Sequence, residues 1–186
     1  MIPKNGIKPN FRGTEFCMDL KLIECGKEWR EYEAKCDEIL RFLFADDLSI
    51  WYLKPTTDDG LSRYDLIYRI TSNHDFWKSL VSSFNTRFIF FEFKNYCDGI
   101  SQKEIYTTEK CLYTTALRSV AKILARNGAK DNAITAAKCA LREHGKLILI
   151  LTSDDLCNML KVKDNDEIPS DYFAYLLDVC LITLSR

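Results

Sequence analysis

Apolar residues recur along this chain in two rhythms, one helical and one strand-like, and the switches between them set out the elements. From Trp29, the positions Trp29, Tyr32, Cys36, Ile39, Leu40, Leu43 and Phe44 fall at helical spacing and form one stripe. Glu31, Lys35, Asp37 and Glu38 lie off that stripe, whereas Glu33 borders it, with Cys36 and Leu40 following at helical intervals. Ser49–Lys54 alternates as a strand does, and residues 55–60 read as a turn. Arg63–Ile70 predicts a second strand, with Tyr64, Leu66, Tyr68 and Ile70 on its apolar face and Arg63, Asp65, Ile67 and Arg69 on the other. Asn73–Phe84 predicts a short helix built on Phe76, Trp77, Leu80, Val81 and Phe84. Arg87–Tyr96, rich in aromatic and branched residues, predicts a strand buried on both faces.

Beyond it, the spacing of Leu112, Ala116, Val120, Ile123 and Leu124 predicts one long amphipathic helix over Gln102–Arg126, stopped by Asn127 and Gly128. A second helix follows to His144 and ends at Gly145. Leu147–Leu151 reads as a buried strand, Ser153 as the cap of a helix to about Lys161, and Ser170 as the cap of a last helix. Strands interleaved with helices imply an α/β sandwich with a central mixed sheet. The expected organisation is a lead-in over 1–27, loosened by Pro3, Gly6, Pro9 and Gly13, then a core over 28–162 and a C-terminal linker and helix over 163–186.

Composition narrows the class. With 186 residues, 47% of them hydrophobic and 12% aromatic, the chain suits one ordinary domain and not a disordered segment. Its eight cysteines are scattered, without a C-x-x-C or a histidine at zinc spacing. Buried free thiols in a reducing cytosol are expected instead. The sequence shows no signal-peptide pattern, and no apolar run approaches the roughly 20 residues that span a bilayer, so a soluble cytoplasmic protein is expected. Net charge is −1, but residues 78–146 hold twelve Lys or Arg against six Asp or Glu, and residues 14–60 reverse that balance. Such a distribution suits a protein that meets an anion on one surface, and solvated helix faces give the same count.

The candidate chemistry lies at the end of the central strand. Glu92 and Lys94 are two apart, so both side chains look into the same space. Two ionised groups ending a buried strand carry a desolvation cost unless a metal, a partner or a substrate compensates it. A plain ion pair at a sheet edge is the alternative. Asp65, on the mixed face of the second strand, and Glu33, on the early helix, bring two further carboxylates. Hard cations such as Mg²⁺ or Mn²⁺ bind carboxylate oxygens and polarise phosphodiesters. In that chemistry Asp65 and Glu92 hold the metal, Lys94 orients the attacking water, and Glu33 completes a second metal position.

Glu33 in Glu-Tyr-Glu-Ala-Lys, Asp65 in Arg-Tyr-Asp-Leu-Ile, and Glu92-Phe-Lys94-Asn give a pattern that resembles the restriction-endonuclease-like PD-(D/E)xK nuclease superfamily. Within it, the pattern is similar to the Mrr-like restriction endonucleases, over about residues 28–162. Tyr64 stands where the motif's proline would be, and the helix at Asn73–Phe84 is an insertion. The resemblance implies a three-layer α/β/α core of order αβββαβ and Mg²⁺- or Mn²⁺-dependent cleavage of DNA, as in the effector domains of bacterial anti-phage or restriction systems. A homodimer or larger assembly, and a sensor or ATPase domain outside this chain, are the implied partners. On the expected long helix, Lys110, Arg118, Lys122 and Arg126 make a phosphate-binding stripe or an ordinary solvated face, with Gln102 and Lys103 near the cleft mouth. His74 and His144 read as surface or capping residues. The rival function is a catalytically inactive nuclease-like fold that binds nucleic acid or a protein partner.

Overall fold

A computed structural model describes residues 12–53 and 65–184. The expected turn at 55–60, the strand start at Arg63 and the Tyr64 position lie outside the described residues. The elements run α1 (Arg12–Leu22), α2 (Trp29–Leu43), β1 (Leu48–Leu53), β2 (Leu66–Ile70), α3 (Asp75–Phe84), β3 (Phe88–Lys94) and α4 (Gln102–Lys110). They continue as β4 (Val120–Ala125), α5 (Asp131–His144), β5 (Leu147–Leu151), α6 (Ser153–Asp164) and α7 (Pro169–Ile182). Among the described residues, five strands lie side by side in chain order, with β1, β2 and β3 antiparallel and β3, β4 and β5 parallel. The sheet is therefore mixed, and α2-β1-β2-β3-α4-β4 supplies the expected αβββαβ order with α3 inserted.

Alternation on the strands sorts their side chains to two faces. Leu66, Tyr68, Ile89, Phe91, Phe93 and Leu124 pack with residues of α1, α2, α3, α6 and α7. Phe90, Ala121, Ile123 and Ile148 pack with α4 and α5. Helices thus cover both faces, giving three layers.

Capping boxes fix the starts of two helices. Ser101 and Glu104 form a reciprocal capping box at the start of α4, and Thr152 with Asp155 forms another at α6. The α6 cap thus falls one residue before the expected Ser153. Ser170 does not cap α7. It lies inside the helix, where its hydroxyl accepts from Trp77 Nε1 (2.8 Å) and donates to Asp47 Oδ2 (3.0 Å).

Three expectations need correction. The long helix over Gln102–Arg126 does not exist: α4 stops at Lys110, Leu117 turns the chain with φ of 55°, and β4 follows. Every residue of β4 is buried and its strand is paired on both sides, so sheet pairing overrides the helical spacing that the sequence displays. Secondly, helix α1 forms within the segment expected to be a lead-in. Asp164 accepts from the N–H groups of Gly13 and Thr14 (both 2.9 Å), while Phe16 and Leu20 are buried. Gly13 sits so close to α6 that a Cβ there would lie 2.6 Å from the Leu160 carbonyl oxygen.

The third concerns the cysteines. Cys17 pairs with Cys157 and Cys25 with Cys97, whereas Cys36, Cys111, Cys139 and Cys180 form no disulfide. Both bridges tie residues near the chain start to partners 140 and 72 positions away, a separation at which spacing carries no signal. Among the described residues, no helix is long and apolar enough to cross a membrane.

Lys122 is the unexpected member of the core. Its side chain is fully buried, its ammonium nitrogen lies 2.7 Å from the Phe173 ring centroid, and the Phe76 and Trp77 rings stand beyond 5 Å. Among the described residues no hydrogen-bond partner reaches it, and burial pushes the amine well below its ordinary pKa.

Thiol titration of the unfolded, unreduced chain should find four free thiols out of eight cysteines. Lys122→Met should stabilise the fold by about 2 kcal/mol near neutral pH, because it removes a buried amine that no polar group among the described residues satisfies. Since the folded pKa is depressed, the unfolded state binds the extra proton at neutral pH and the wild type gains stability as pH rises toward the unfolded value. Thermal melts of the two proteins should therefore converge in alkaline buffer.

Candidate active site

Antiparallel register brings the key carboxylates together. Leu66 pairs with Phe91, so the next step along both strands sets Asp65 across from Glu92. Asp65 lies just before β2, and its Oδ2 accepts the Phe93 N–H at 2.9 Å, which holds the side chain against the end of β3. Lys94 Nζ donates to Glu92 Oε2 at 3.2 Å. Asp65, Glu92 and Lys94 thus share one small volume at the C-terminal end of β3.

The charges there are poorly solvated. Glu92 keeps 13% of its side chain exposed and Lys94 22%. Burial and then the Asp65 carboxylate raise the Glu92 pKa to about 7, against the lowering pull of Lys94. For Lys94, burial works to lower the pKa, but the charges of Glu92 and Asp65 outweigh it and raise the group above its usual value. The amine therefore stays protonated, while a second full negative charge on the carboxylate pair is resisted. Two crowded hard-oxygen donors suit a hard cation.

Glu33 projects from α2, is 8% exposed, and lines the same cleft as Asp65, Phe93, Lys94 and Asn95. Among the described residues, no three His, Cys, Asp or Glu side chains cluster closely enough to hold a metal. A cation between Asp65 and Glu92 would complete its shell with backbone carbonyl and water.

The loop after β3 is fixed by groups that strand patterning did not single out. Asn95 is buried; its Nδ2 donates to the Glu24 carbonyl (2.9 Å), its Oδ1 accepts from Arg126 Nη1 (3.2 Å), and its own carbonyl accepts from the Gly26 N–H (2.7 Å). Arg126 also donates its backbone N–H to the Lys94 carbonyl. Gly26 has φ of 75°, and a Cβ there would press against Cys97 Sγ at 3.2 Å. The bridge from Cys25 to Cys97 closes the same corner. Asn95 directly follows Lys94, which was the one sequence signal for it.

The expected nucleic-acid residues divide. Gln102 and Lys103 are exposed in the first turn of α4, one short loop beyond Lys94. Lys110 stands at the far end of that helix. Arg118 precedes β4, at the opposite end of the parallel strands from Lys94, with its guanidinium 4.9 Å from the Tyr113 ring centroid. Lys122 is in the core, and Arg126 braces Asn95. The expected stripe on one helix face is therefore absent. His74 caps α3, its Nδ1 accepting from the Phe76 N–H, and His144 pairs with Glu109 at 2.5 Å on the surface.

No family model matches the chain, and no curated protein matches its sequence. Among solved structures, the chain is similar to the restriction endonuclease FokI, with a TM-score of 0.48 and 12% sequence identity. That likeness covers 81% of this chain and 27% of the other, so the chain spans about a quarter of that protein.

Proposed function

We propose that this chain is a metal-dependent endodeoxyribonuclease of the PD-(D/E)xK type, with Mrr-like restriction endonucleases as its model and DNA phosphodiesters as its substrate. The observation that carries this reading is the convergence of Asp65, Glu92 and Lys94 at the end of β3. Asp65 and Glu92 would hold Mg²⁺ or Mn²⁺. When bound, that cation supplies Lewis acidity toward a phosphate oxygen and makes a coordinated water more acidic.

The chain's own groups do the rest. The Phe93 N–H holds Asp65 in place by its Oδ2. Lys94 remains cationic, so it can donate to the attacking water and offset charge that builds on the phosphate. Glu33, on the cleft wall, is the candidate for a second cation position. Service as the effector of a bacterial anti-phage or restriction system, joined to a sensor or ATPase domain, is the wider role this chemistry suits. The alternative is an inactive nuclease-like fold that binds nucleic acid or a protein; divalent binding at the carboxylates separates the two.

Plasmid DNA incubated with the protein should be nicked or degraded with Mg²⁺ or Mn²⁺ and left intact with EDTA. Asp65→Ala and Lys94→Ala should each lower the rate at least a hundredfold, on the order of 3 kcal/mol of transition-state stabilisation. Cleavage that survives either change would remove the assignment of residues.

The titration of Glu92 gives a second test, on the metal-free protein. Its folded pKa of about 7 exceeds the ordinary 4.5, so the folded state binds an extra proton between those values. Stability contributed by the protonated group is complete below the unfolded pKa and is lost as pH rises through about 7. Glu92→Gln should therefore melt above the wild type in mildly alkaline buffer, by about 2 kcal/mol, with the gap closing in acid. Equal melts across that window would contradict the crowding of charge at this site.

A further inference from the structure

Two large aromatic side chains are half-exposed at the candidate cleft. Trp29 is 50% exposed and Tyr96 44% exposed, and both line the cleft that holds Asp65 and Lys94, a space of about 310 Å³. Tyr96 also borders an adjoining hollow of about 370 Å³ that reaches Ser101 at the start of α4 and Lys130. The guanidinium of Arg30 lies 4.9 Å from the Trp29 ring centroid, which adds a positive charge to the indole.

We propose that this cleft takes an unpaired DNA strand, with bases stacking on Trp29 and Tyr96 so that the phosphate between them lies at Lys94. The phosphate placement rests on the nuclease reading; the stacking does not. Aromatic faces bind bases of any sequence, but a duplex offers no free base face because its bases already stack on one another. Cations near the rings complement the backbone of the strand: Arg30 contacts the Trp29 ring, and Lys130 lines the adjoining hollow.

A second observation points the same way. A duplex presents one negative charge per roughly 1.7 Å and is held by a broad set of phosphate contacts. The basic residues expected to provide one are dispersed: Lys122 is in the core, Arg118 is at the other end of the sheet, and Lys110 is at the far end of α4. The two rims are also held in fixed relation. Trp29 begins α2 three residues after Gly26, Tyr96 precedes Cys97, and the Cys25–Cys97 bridge with the Gly26–Asn95 hydrogen bond joins the two segments. A preformed platform loses little entropy when a base lands on it.

Fluorescence anisotropy with labelled oligonucleotides in Ca²⁺ tests the proposal, using a single strand, its blunt duplex and a single strand carrying abasic sites. The single strand should bind at least tenfold more tightly than the duplex. Trp29→Ala and Tyr96→Ala should each weaken single-strand binding about tenfold, Trp29→Phe should keep most of it, and the abasic strand should bind the wild type poorly. Equal or tighter binding of duplex, or alanine variants that bind single strands as the wild type does, would overturn it. Trp29-dependent single-strand binding without cleavage in Mg²⁺ would uphold this proposal and defeat the nuclease reading. Cleavage of duplex indifferent to Trp29→Ala would do the opposite.

Discussion

Asp65 accepts one backbone N–H from Phe93, and the candidate chemistry depends on that contact. It holds a carboxylate at the rim of a buried strand, directly across from Glu92 in the antiparallel register. Without the contact, Asp65 would be a polar residue on a strand approach, free to turn toward water. With it, two carboxylates and an ammonium occupy a volume that water enters poorly. The raised pKa of Glu92 is the electrostatic consequence. A divalent cation is the simplest partner that would let both carboxylates ionise at neutral pH.

The remainder of the fold keeps that corner still. Apolar residues on both faces of β3 anchor the strand in two cores, one beneath α2 and α6 and the other beneath α4 and α5. Past Lys94 the chain leaves the sheet, and there Asn95, Arg126, Gly26 and the Cys25–Cys97 bridge take over from strand pairing. Helix α1, pinned by Asp164 and by the Cys17–Cys157 bridge, leads into this loop. Cross-links that fix distant chain segments limit the freedom of the unfolded chain and restrain the folded corner. Local rigidity of this kind is what a site needs to hold reacting groups in register.

The sequence made the strand-based part of the site legible, because alternation is a two-residue code. It put Glu92 and Lys94 on one face, set Asp65 opposite the apolar face of its own strand, and marked Glu33 as the border of a packed helix. What it hid has physical causes. Strand β4 carries Lys122 amid alanine and leucine, so its local pattern reads as a helix until pairing with β3 and β5 is known. The cysteine partners are far apart in the chain. Arg126 resembles an exposed phosphate ligand in sequence yet serves as a brace, since the strand it follows was not foreseen. Exposed aromatics such as Trp29 and Tyr96 also look like core residues when only hydrophobicity is counted.

Isothermal titration of the metal-free protein with Mn²⁺ asks whether Asp65 and Glu92 hold a cation before any substrate is present. The wild type should bind saturably and release protons near neutral pH, and binding should disappear in both Asp65→Asn and Glu92→Gln. Absence of binding in the wild type, or binding that persists unchanged in either variant, would contradict a cation site at these carboxylates.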